Sequence, residues 1–63
     1  MFLKGKRYAD REGTVFEVVI HLADGEYPVL AKNVKTGLME KFRRNGELVR
    51  GKPSKKDLVD AEL

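Results

Sequence analysis

The chain carries few side chains able to do covalent chemistry. His21 is its only histidine and Ser54 its only serine, and it has no cysteine. No nucleophile has a base near it in sequence, which nucleophilic catalysis would require. His21 sits in the middle of an apolar run, where a packing or surface role suits an imidazole. Ser54 opens Ser54-Lys55-Lys56-Asp57, a spacing that fits a capping box. Asp57, Asp60 and Glu62 lack the spacing and the glycine of a calcium loop, and read as a solvated acidic tail. The six glycines serve separate turns rather than one phosphate-cradling loop. Disulfides and thiolate metal sites are excluded. A chain of 63 residues has little room for a buried pocket of about 300 Å³. The expectation is a non-enzymatic protein with no catalytic residue, cofactor, metal or small-molecule substrate.

What remains is charge. The net charge of +3 is unevenly spread. Residues 1–31 sum to −1, residues 32–56 to +7 and residues 57–63 to −3. Such segregation marks either an anion-binding surface or a face kept soluble by lysine.

These charges must be positioned by short strands. Turn signals recur at Arg11-Glu12-Gly13, Asp24-Gly25, Thr36-Gly37 and Asn45-Gly46. Between them lie β-branched and aromatic runs, which predict strands near 6–10, 14–23, 27–35, 38–44 and 47–50. In the longest run, Phe16, Val18, Ile20 and Leu22 share the core face, opposite Val15, Glu17, Val19 and His21. The pattern predicts an all-β fold over one domain, residues 1–63. It would be a small SH3-like barrel or a curled antiparallel meander of five to six strands. Residues 54–62 fit either one helical turn or a closing strand with Leu58 as a core plug.

The two glycine hairpins allow a register calculation. A two-residue loop at Thr36-Gly37 places Ala31 opposite Phe42 and Lys32 opposite Lys41. A two-residue loop at Asn45-Gly46 places Phe42 opposite Val49 and Lys41 opposite Arg50. Val29, Ala31, Phe42 and Val49 then share the core with Phe16, Val18 and Ile20. The other face carries Lys32, Lys41 and Arg50 in a row, with Arg43 beside them and Leu30, Val34, Met39 and Leu48 as a frame. Like charges directly opposite weaken strand pairing, so the row is a candidate interaction surface. A slip of one residue would exchange the two faces.

Tyr27-Pro28-Val29, then Gly37, Phe42, Asn45-Gly46, Gly51 and Asp57-Leu58, form a pattern over roughly residues 13–60. It resembles small β-rich proteins of unknown function encoded by tailed phages and prophages. The resemblance implies a small β fold and a phage origin. It carries no functional residue across, and Lys41, Arg43 and Arg44 stand where those proteins tend to be acidic.

Two functions follow as expectations. The first is a phage or prophage accessory protein that binds a host or phage macromolecule, with protein favoured over nucleic acid. The alternative is a nucleic-acid-binding module using the basic sheet face, although Phe2, Tyr8 and Tyr27 look scattered rather than arrayed for stacking. Met1 to Lys4 lead into no apolar run, and no stretch is long enough to span a membrane, so the expected location is the cytoplasm.

Overall fold

Residues Val15–His21 are rich in β-branched side chains, which favour extended backbone, and they form the longest strand of the fold. In the computed structural model, which describes all of residues 1–63, four strands follow in chain order. They are β1 (Arg7–Ala9), β2 (Val15–His21), β3 (Val29–Asn33) and β4 (Met39–Phe42). They make one antiparallel sheet in the order β1-β2-β3-β4. The all-β expectation holds, and the first four predicted strands are all present. The number is four, not five or six, and the sheet does not close into a barrel.

Segment 47–50 is not a strand. Its hairpin begins as expected, with the Arg43 N–H donating to the Glu47 carbonyl (2.8 Å). The turn spans three residues rather than two, because Gly46 takes φ +93° and its N–H closes back on the Arg43 carbonyl. The next amide, Leu48 N–H, then donates to the Asp57 carboxylate (3.2 Å) instead of returning to β4. That bond diverts the chain, and Val49, expected in the core, ends 50% exposed.

The C-terminal segment is neither a helical turn nor a strand, though Leu58 does plug the core. Asp57 Oδ2 accepts from Ser54 N–H, the return bond of a capping box, while Ser54 Oγ accepts from Lys56 N–H, one residue short of the box's other bond. No helix follows. Leu58 is buried instead and bridges Asp10. Val59 and Leu63 then donate to the Ala9 and Arg7 carbonyls, covering the edge of β1 with single bonds rather than a ladder. Asp57 is therefore a buried acceptor for two backbone N–H groups, not part of a solvated tail.

The core lies on one face of the sheet. Phe2, Tyr8, Phe16, Val18, Val29, Ala31, Phe42 and Leu58 form it, with Leu48 packed alongside rather than framing the opposite face. Tyr8 stacks edge-on against Phe2, and Phe16 against Phe42. Phe2 and Tyr8 are thus core residues, which their scattered positions conceal.

Ile20 departs from the expected core. The β2–β3 register shifts between Val18 and Ile20, so Val18 faces Ala31 while Ile20 faces Leu30. This bulge inserts one residue and exchanges the faces beyond it. Ile20 turns outward, 41% exposed, and Leu22 is exposed beyond it. His21 turns inward, and its Nδ1–H donates to the Phe2 carbonyl (2.6 Å), tying the N-terminal segment down. One prediction follows. Val18→Ala should lower unfolding stability by about 2 kcal/mol, and Ile20→Ala by less than about 1 kcal/mol. Urea titration of both variants checks the order. Equal losses would contradict the bulge.

Candidate functional site

The sheet has a second face, and none of the buried residues lies on it. Pairing places its residues in rows across the strands. Ala9, Val15 and Val34 make one row, since Ala9 pairs with Val15 and the Val15 carbonyl accepts from Val34 N–H. Arg7, Glu17, Lys32 and Met39 make the next. Ile20, Leu30 and Lys41 make the third, beside the bulged Val19. The first row is therefore apolar, the middle row carries Arg7, Glu17 and Lys32, and the third is apolar except for Lys41. Ile20, Val34 and Met39 are exposed, while Val15, Val19 and Leu30 are half-buried.

Two of the four candidate residues, Lys32 and Lys41, are on this face, but not as a pair. The Asn33 N–H donates to the Leu38 carbonyl, so the hairpin loop is Val34 to Gly37, four residues rather than two. The register moves by two, which keeps every face and changes every partner. Lys32 lies opposite Met39 and Lys41 opposite Leu30. On its other side Lys32 faces Glu17, which Arg7 also pairs with at 3.2 Å. Charges thus alternate along the middle row and favour pairing. Lys41 places its Nζ 5.3 Å from the centroid of the half-buried Tyr27 ring, a cation–π contact.

The other two candidates are elsewhere. Arg50 sits in the turn closed by the Lys52 N–H on the Val49 carbonyl, off the sheet, so no row of Lys32, Lys41 and Arg50 exists. Arg43 belongs to an open cleft of about 560 Å³, lined by His21, Glu26, Arg43, Arg44, Asn45 and Asp60, among others. Its Nη1 is 3.4 Å from Glu47 Oε1, and its buried Nε has no acceptor. Arg44 is spent on the Ala23 carbonyl (2.9 Å) and Asp60 on the Met1 amino group. No group of three or more acidic or histidine side chains is placed to hold a metal ion, and no helix is long and apolar enough to cross a membrane.

The outer edge of β4 is open, a feature absent from the expected register. This strand pairs only with β3, and no turn or loop amide reaches Met39, Glu40 or Lys41. The signal for it was the Ser54-x-x-Asp57 spacing, which captures Leu48 and removes the fifth strand. Comparison of the chain with protein-family models, curated proteins and solved structures finds no match.

Proposed function

We propose that this protein is a non-enzymatic binding module that engages a protein partner through the outer face of its sheet. The observation that carries the reading is the uncovered apolar surface around Lys32: Ile20, Val34 and Met39 exposed, with Val15, Val19 and Leu30 beneath them. Exposed apolar side chains gathered on one sheet face around charged ones are the composition expected of an interaction site. A nucleic-acid ligand is disfavoured by the aromatics. Four of the five are buried in the core, and Tyr27 is half-buried under Lys41, so no stacking platform is presented. The phage or prophage setting implied by the Tyr27-Pro28-Val29 pattern, and a cytoplasmic location, belong to this proposal as its expected context.

The test uses Ile20→Glu and Lys32→Glu, two outer-face substitutions away from the core. Immobilised wild type should retain a specific protein from bacterial lysate after nuclease treatment. Each variant should reduce that capture at least tenfold while keeping the wild-type circular dichroism spectrum. The captured complex should weaken only mildly between low and moderate salt, unlike a phosphate-driven one. Capture abolished by nuclease, or indifferent to both substitutions, would overturn the reading.

A further inference from the structure

The open edge of β4 has a defined chemistry. In the β3–β4 ladder the Asn33 N–H donates to the Leu38 carbonyl, and the pairs step from there to Ala31 with Glu40 and Val29 with Phe42. Antiparallel hydrogen bonds alternate, so residues 38, 40 and 42 direct their backbone groups to β3. Met39 and Lys41 direct theirs outward. The next outward amide, that of Arg43, is already used by Glu47, after which Asp57 draws the chain away. The result is a two-residue slot, Met39 (46% exposed) and Lys41, with four unpaired backbone groups, next to Leu38, 71% exposed.

We infer that this slot receives an extended peptide strand of another protein, which adds to the sheet beside β4. The inference rests on the protein-binding reading and names the form of partner segment. Unpaired edge strands are templates for strand addition. A second copy of this chain is the poorer occupant. The self-pairing register that uses both outward residues sets Met39 against Lys41 of the other copy, which puts Glu40 directly opposite Glu40. Like charges so placed oppose pairing. Registers shifted either way need Gly37 or Arg43, whose amides are already bonded to Asn33 and Glu47. A foreign strand has no such conflict. Running antiparallel, it is best matched by an acidic residue opposite Lys41, a basic one opposite Glu40 and an apolar one opposite Met39.

The test is amide hydrogen exchange and chemical-shift titration on the full chain. The probes are a capped eight-residue synthetic peptide centred on Glu-Lys-Val and a charge-swapped control centred on Lys-Glu-Val. In the free protein the Met39 and Lys41 amides should exchange fast, and those of Glu40 and Phe42 slowly. The first peptide should shift residues 39–41 saturably and slow exchange at Met39 and Lys41 at least tenfold. The control should bind at least tenfold more weakly. Lys41→Pro removes one outward N–H without touching the β3 ladder, a substitution edge strands tolerate, and should abolish binding. Should that variant fail to fold, Glu40→Lys serves instead, and should transfer preference to a peptide centred on Glu-Glu-Val. Edge amides already protected in the free monomer would overturn the inference. So would protection that rises with protein concentration alongside a dimer mass, or indifference to peptide charge order. If Lys41→Pro keeps nuclease-resistant capture while Ile20→Glu and Lys32→Glu lose it, the outer face stands and the edge falls. If all three keep it, both fall.

Discussion

Phe42→Ala is expected to unfold the protein at room temperature. Phe42 is fully buried and is the only buried residue of β4. Its ring meets Phe16 edge-on, with centroids 5.4 Å apart and planes at 78°. Removing a buried phenyl ring costs about 3–5 kcal/mol, through lost transfer energy and the cavity left behind. A domain of this size has a total stability of roughly 3–9 kcal/mol, at ~0.05–0.15 kcal/mol per residue. The substitution therefore removes much or all of what holds the fold. It also acts on one end of the structure, since β4 has no strand on its far side to retain it. Thermal melting followed by circular dichroism should show no cooperative transition above ambient temperature. A Phe42→Leu variant should still melt cooperatively, because most of the apolar volume is kept. A Phe42→Ala protein melting within a few degrees of wild type would mean that this face of β4 is not core.

Phe42 was legible in the sequence because parity alone decides it. Alternation along each strand, together with turn residues between strands, places Phe16, Val18, Val29, Ala31 and Phe42 on one face. A two-residue error in the β3–β4 register leaves that face unchanged. The partners are another matter. Loop length sets them, and Thr36-Gly37 marks where the turn is, not how many residues it takes. Here Asn33 Oδ1 accepts from the Lys35 and Thr36 amides and builds a longer loop. The bulge at Val19 is hidden for a different reason. Val18-Val19-Ile20 is apolar at every position, so a change of face leaves no trace in the pattern. The fate of segment 47–50 depends on a bond between Leu48 and Asp57, a tertiary contact that local propensity does not register. The candidate surface inherits these limits. Lys32 and Lys41 are on the expected face because parity puts them there. Arg50 is off it because it needed a fifth strand, and Arg43 because its outward amide starts a bulged turn.

Gly46→Ala should be the most damaging glycine substitution in the chain, and the contrast with Gly37→Ala isolates why. Both glycines have positive φ, +93° at Gly46 and +78° at Gly37, so alanine is strained at either site by about 1–2 kcal/mol. At Gly37 that is the whole cost, since nothing lies within 4 Å of an added Cβ. At Gly46 the methyl would stand 2.5 Å from the Leu58 carbonyl oxygen and 2.9 Å from the Phe2 ring. Neither neighbour can yield cheaply. Leu58 is buried, its N–H donates to the Gly46 carbonyl (2.9 Å), and it bridges to Asp10 beside β1. Phe2 is fully buried against Tyr8. Accommodating the methyl means moving either the C-terminal segment or the N-terminal aromatic, an overpacking cost of about 1–3 kcal/mol. Added to the backbone strain, Gly46→Ala should lose about 2–5 kcal/mol, about 1–3 kcal/mol more than Gly37→Ala. Urea denaturation of the two variants beside wild type reads the difference directly as a shift in midpoint at constant slope. Equal midpoints would show that the Asn45-Gly46 turn does not lie against Leu58 and Phe2. The closure of the terminal segments over the core would then have to be redrawn.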